Sequence, residues 1–215
     1  MTDLLEFLAT VIRYIEDHPV ESLAVALSLA AVWWTTRRNP LCWPVGLVSV
    51  LLYGGVFYSA HLYSDALLQI VYAALELYGW RTWLRAPQDA VRDPHPRVAP
   101  ASGRMIGGGL LAGALGWAVL GALMSRYTDA ALPWVDSGLT AFSLVAQFWM
   151  ARLVRANWLL WIVVDVIYVG MYVNQGMRLT AGLYLAFIAL AVMGWRSWRP
   201  GQDESGQSGL PVASP

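Results

Sequence analysis

Seven apolar stretches lie near residues 20 to 36, 40 to 58, 65 to 84, 105 to 125, 137 to 154, 157 to 173 and 179 to 197, separated by clusters of Arg, Pro and polar residues. Each approaches the roughly 20 residues that an α-helix needs to cross the hydrocarbon core of a bilayer. In lipid every backbone N–H and C=O must be satisfied internally, so such stretches become helices packed on one another. The expectation is an all-α membrane protein with seven transmembrane helices. With 58 % hydrophobic residues and a mean hydropathy of +0.50, nothing is left over for a sizeable soluble domain. Residues 1 to 19 include LLEFLATVIRYI, an amphipathic segment suited to lying at the interface as a preceding helix.

All 14 basic residues are Arg. Without Lys there is no retinal Schiff base and no Walker-A lysine, which excludes a rhodopsin-like pigment and a self-contained P-loop ATPase. Seven spans place eleven of the 14 arginines on one side, leaving only Arg13, Arg126 and Arg178 on the other. That asymmetry predicts an outside N-terminus and a cytoplasmic C-terminus. Residues 85 to 104, rich in Pro, Arg and Asp, read as a cytoplasmic linker, and residues 199 to 215 as a disordered cytoplasmic tail.

The net charge is zero and no Lys/Arg run suggests a nucleic-acid partner. Cys42 is the single cysteine, and His18, His61 and His95 fall in separate loops, so neither a metal nor another cofactor is expected. The acidic start, with Asp3, Glu6, Glu16 and Asp17, does not read as a cleavable signal.

The chain also repeats itself. Asn39-Pro-Leu-Cys-Trp43 returns as Asn157-Trp-Leu-Leu-Trp161, and Gly79-Trp-Arg-Thr-Trp83 as Gly194-Trp-Arg-Ser-Trp198, in the same order. Asn39 to Trp80 is 41 residues and Asn157 to Trp195 is 38, a difference assigned to a short loop. A three-helix repeat over 20–84, a glycine-rich connecting helix over 105–125 and a second repeat over 137–198 give a 3+1+3 plan. Parallel-repeat transporters such as the SWEET proteins are built this way. Taken singly, each Trp-Arg cluster is an ordinary interfacial anchor; that does not explain why two motifs pair in order.

Helical spacing puts Gln69, Tyr72, Glu76 and Trp80 on one face of the third span, and Asn157, Trp161, Asp165, Tyr168 and Tyr172 on one face of the sixth. An acid at the bilayer centre costs about 2.5 to 3.5 kcal/mol on the translocon scale, so Glu76 and Asp165 should face the bundle interior or a water-filled cavity. Each acid is either a structural hydrogen-bonding group or a ligand contact. Aromatic faces beside carboxylates suit a flat organic cation, and Gln147, with Ser143 and Thr140 on its face, can add hydroxyl recognition.

The run from Tyr63 through Gln69, Tyr72, Glu76 and Gly79 to Trp83 resembles the third-span signature of PnuC-type transporters, and Asn157-Trp158-Leu-Leu-Trp161-Ile resembles the opening of their sixth span. With Gly46-Leu-Val-Ser49-Val, the resemblance covers residues from about 20 to 198. It implies a SWEET-like, trimeric permease of the bacterial inner membrane that takes up nicotinamide riboside by facilitated diffusion, with trapping by a cytoplasmic kinase. It also implies a substrate site drawn from Trp43, Ser49, Tyr53, Gln69, Tyr72, Glu76, Gln147, Asn157, Trp161, Asp165, Tyr168 and Tyr184. Nicotinamide-riboside members resemble one another in carrying Asn where this chain has Ser49, Glu76 and Asp165. The more acidic pocket keeps thiamine, which also has a permanent cationic ring, as the alternative.

Two other classes compete. A membrane enzyme needs a nucleophile, base and oxyanion donors in one pocket, and the spans hold two acids but no His or Lys. A non-transporting structural subunit accounts for the spans but not for paired acid-aromatic stripes.

Overall fold

The computed structural model describes residues 2–59, 61, 63–86, 95–128, 132–174 and 176–198. The sequence-predicted tail over 199–215 and linker residues 87–94 lie outside them. Among the described residues the regular elements are eight helices: α1 (Thr2–Asp17), α2 (Pro19–Thr36), α3 (Cys42–Ser59), α4 (Tyr63–Arg85), α5 (Gly103–Tyr127), α6 (Pro133–Ala151), α7 (Asn157–Asn174) and α8 (Arg178–Ser197). By length and composition, α3, α5, α7 and the Thr180–Ser197 part of α8 are apolar enough to cross a membrane. The helices α2, α4 and α6 carry Glu21, Glu76 and Asp136, which lowers their apolarity without shortening them below 18 residues.

Local chemistry sets several boundaries. Pro19 and Pro133 open α2 and α6, where the missing N–H costs no helical bond. Ser102 caps α5, its hydroxyl accepting from the Met105 N–H at 3.2 Å. Tyr14 on α1 donates to Glu21 Oε1 at 2.8 Å, fastening the amphipathic helix to α2.

Neighbouring helices form a closed circuit: α2 packs on α3, α3 on α4, α4 on α6, α6 on α7, α7 on α8, and α8 returns to α2. Helix α5 stands beside the circuit and packs along α6, where Trp117 Nε1 donates to the Trp134 carbonyl at 2.7 Å.

The two sets of three helices correspond at a constant separation of 115 residues. Among the described residues, the four with positive φ fall into two such pairs, Arg38 (54°) with Leu153 (58°) and His61 (62°) with Gly176 (74°). The turn bond from the Arg38 N–H to the Thr35 carbonyl, 2.9 Å, is matched by that from Leu153 to Met150, 3.0 Å. Trp43 meets Trp83 edge-on at 5.2 Å and 83°, and Trp158 meets Trp198 at 5.3 Å and 85°. A Cβ on Gly79 would collide with the Trp43 ring, and one on Gly194 with the Trp158 ring, so both positions require glycine for close helix approach.

This register corrects the sequence pairing. Trp43 corresponds to Trp158, not to Trp161, and the three-residue difference between the halves disappears. The asparagines paired by sequence do different work. Asn39 Oδ1 accepts from the Leu41 N–H at 2.9 Å in a tight turn, whereas Asn157 Nδ2 donates to the Val154 carbonyl at 2.6 Å.

Part of the linker is packed. Pro96 is fully buried, its carbonyl accepting from Arg38 Nη1 at 3.1 Å. The Ala99 N–H donates to the Leu153 carbonyl at 3.0 Å. The segment thereby touches the α2–α3 turn and the α6–α7 turn together, above a cluster that holds Trp43, Trp83, Trp158 and Trp198.

Candidate functional site

The helices of the circuit line a partly open cavity of about 290 Å³. Eleven of the twelve expected site residues line it: Trp43, Ser49 and Tyr53 from α3, Gln69, Tyr72 and Glu76 from α4, Gln147 from α6, Trp161, Asp165 and Tyr168 from α7, and Tyr184 from α8. Helical periodicity brings them inward, because positions three or four apart on α4 and α7 share the face turned to the circuit's centre.

Asn157 lies elsewhere. It is fully buried at the start of α7, with its amide nitrogen on the Val154 carbonyl, and supports the turn rather than the cavity wall. Trp80, on the stripe with Glu76, packs against the tryptophan cluster. Tyr172 stacks on Tyr168 at 5.9 Å and lies tilted 5.3 Å from Tyr184, backing the lining residues.

The lining side chains are engaged to different degrees. Glu76 accepts from Gln147 Nε2 through Oε1 at 3.0 Å, which joins α4 to the neighbouring α6. Asp165 is 4 % exposed and has no hydrogen-bond or ion-pair partner among the described residues, so its acceptor capacity is available to whatever enters the cavity. The Ser49 hydroxyl donates to the Ala24 carbonyl at 2.8 Å and takes a bond of 2.7 Å from Ser28, which ties α3 to α2. Trp43, only 1 % exposed, is held between Gly79 and Trp83 and contributes to the cavity lining. Tyr168 and Tyr184 lie 4.6 Å apart beside Asp165, giving an acid bordered by aromatic faces.

Several lining residues were missed by the sequence reading, among them Ser28, Thr35, Gly46 and Phe187. The 115-residue relation would have found three of them: Gly46 corresponds in register to Trp161, Phe187 to Tyr72, and Ser28 to the Ser143 named beside Gln147. No group of acids, His and Cys able to hold a metal occurs among the described residues.

Residues 18–200 match the sequence profile of the family described as nicotinamide mononucleotide transporter. The chain is 31 % identical over 163 residues to the riboflavin/roseoflavin transporter RibM of Streptomyces davaonensis, covering 75 % of this chain and 76 % of that one. It is 28 % identical over 190 residues to the nicotinamide riboside transporter PnuC of Escherichia coli, covering 77 % and 78 %. The crystal structure of the vitamin B3 transporter PnuC superposes with a TM-score of 0.72 at 24 % identity, over 90 % of this chain and 86 % of that one, so the fold is shared.

Proposed function

The chain belongs to the nicotinamide mononucleotide transporter family, and from that membership we propose that it carries a cationic vitamin, first nicotinamide riboside, through the cavity between its two sets of helices. It is a multi-pass membrane transporter of vitamins, not an enzyme.

One observation carries the substrate class: two acids, Glu76 and Asp165, share a cavity with Trp161, Tyr168 and Tyr184. Its volume of about 290 Å³ sits at the lower end of small-molecule pockets, about 300 to 1,000 Å³, which suits one vitamin-sized molecule. A flat cation gains from ring faces and from a carboxylate together. Thiamine satisfies the same rule and is the second reading, because both acids stand where neutral amides would serve a nicotinamide.

The remaining features follow from the same reading. Helices α2 to α8 are seven spans in a 3+1+3 arrangement, with the N-terminus outside and the C-terminus in the cytoplasm of a bacterium. Residues 1–19 lie at the interface as an amphipathic helix. The protein is a trimer in the inner membrane and works by facilitated diffusion, a cytoplasmic kinase trapping the product.

Binding of nicotinamide riboside, thiamine and riboflavin to the purified protein, followed by counterflow in proteoliposomes, tests this. Saturable binding and counterflow of nicotinamide riboside are expected. Counterflow of thiamine alone moves the assignment to the second reading. Counterflow of riboflavin alone overturns the selection for a cation.

A further inference from the structure

Gly46 touches the acid that the proposed function relies on. A Cβ built on Gly46 would lie 2.8 Å from Glu76 Oε2 and 3.0 Å from both Oε1 and Cδ. Real Cβ atoms need more room, so the carboxyl rests directly on the α3 backbone face that glycine leaves bare. On its other side Oε1 is held by Gln147 Nε2 at 3.0 Å. The carboxyl is thus fixed between two groups from two different helices.

The internal correspondence gives this contact meaning. At the positions 115 residues on, Gly46 and Glu76 become Trp161 and Ala191. One half pairs a bare residue on α3 with a long acid on α4; the other pairs a large indole on α7 with a small residue on α8. Trp161 packs against the cluster that holds Ala191, and all four residues line the cavity. Large and small have exchanged helices, so the corresponding contacts of the two halves present a carboxylate in one and an aromatic ring in the other to the same cavity.

We infer that Gly46 is a positioning residue: with Gln147 it sets where the Glu76 carboxyl stands in the cavity that Trp161 also lines, and so selects a flat ring bearing a cationic or N–H donor group at its edge. The inference rests on the proposed function for its substrate class, but not for the placement of the carboxyl.

The test uses the full chain in detergent, with nicotinamide riboside as the probe. Gly46→Ala should weaken binding about tenfold or more by displacing the carboxyl from its contact. Glu76→Asp, one methylene shorter, should weaken it too, yet Gly46→Ala/Glu76→Asp should bind more tightly than Gly46→Ala, because the shorter acid leaves room for the new methyl. Gly55→Ala, where nothing lies within 4 Å of the added Cβ, should bind like the parent. Difference infrared spectra, with the Glu76 band assigned by Glu76→Gln, give a readout that needs no ligand. The band should shift in Gly46→Ala and not in Gly55→Ala. Parental binding and an unmoved band in Gly46→Ala overturn the inference, as does a loss that Glu76→Asp does not relieve. A parent that binds no nicotinamide riboside, with the band still shifting, overturns the substrate assignment and leaves the positioning role supported.

Discussion

Trp83 and Trp198 meet on the seam between the two sets of helices, 5.7 Å apart, and each sends its indole N–H across it. Trp83 Nε1 donates to the Met150 carbonyl at 3.2 Å, and Trp198 Nε1 to the Thr35 carbonyl at 3.1 Å. Both rings are fully buried, so neither bond competes with water.

Replacing either ring by Phe removes one cross-seam bond, from a carbonyl that keeps its turn bond, and opens a small void. Trp83→Phe and Trp198→Phe should each destabilise the purified protein by about 1 to 3 kcal/mol. Because the rings touch, the double variant should lose less than the sum. Thermal unfolding in detergent measures this; strongly unequal single losses would show that the two halves do not share the seam evenly.

Removing charge from the cavity should cost affinity rather than fold. Glu76→Gln keeps the side-chain shape, and Asp165→Asn likewise. A charge-assisted hydrogen bond is worth about 1.5 to 3 kcal/mol, so binding of nicotinamide riboside should weaken about tenfold to a hundredfold in each. Trp161→Leu should cost about 0.5 to 2 kcal/mol if the cation rests on the indole. Titration calorimetry decides it: three well-folded variants that bind every tested vitamin like the parent would place the site elsewhere.

Asn157→Ala should do the reverse. Its amide nitrogen holds the Val154 carbonyl at 2.6 Å in the α6–α7 turn, so the loss should appear as about 1 to 3 kcal/mol of stability, with affinity for the vitamin near that of the parent.

The positions of the helices and about half of the cavity lining were legible in the sequence: the α4 and α7 residues from periodicity, and Trp43, Ser49, Tyr53 and Tyr184 only from the family resemblance. Apolar length marks the helices, and polar residues three or four apart on α4 and α7 must turn from lipid together. The register of the two halves was not legible by motif. Trp158 and Trp161 are both tryptophans near an asparagine, and only the contact of Trp158 with Gly194, matching that of Trp43 with Gly79, tells them apart. The role of Gly46 depends on a neighbour 30 positions away, Glu76, which no local pattern announces. Docking of Pro96 and Ala99 was equally hidden, since backbone carbonyls and N–H groups carry no sequence signal.

Uptake into proteoliposomes should proceed without ATP and without an imposed ion gradient, stopping when the internal and external vitamin concentrations are equal. Abolition by a protonophore at a fixed substrate gradient would show instead that an intramembrane acid couples transport to protons.

A reporter fused after Trp198 should behave as cytoplasmic and one inserted after Thr128 as periplasmic, following the arginine asymmetry. The opposite pattern would invert the orientation.

The hydrogen bonds of Pro96 to Arg38 and of Ala99 to Leu153 have a mechanical consequence. Three residue steps separate the two anchor points, and an extended chain spans at most about 3.6 Å per residue, so while both bonds hold the anchors cannot stand more than roughly 11 Å apart. The linker is therefore a limit stop on that end of the bundle. A wider swing of the two turns must either extend the Arg38 side chain or break a hydrogen bond worth about 1 kcal/mol net.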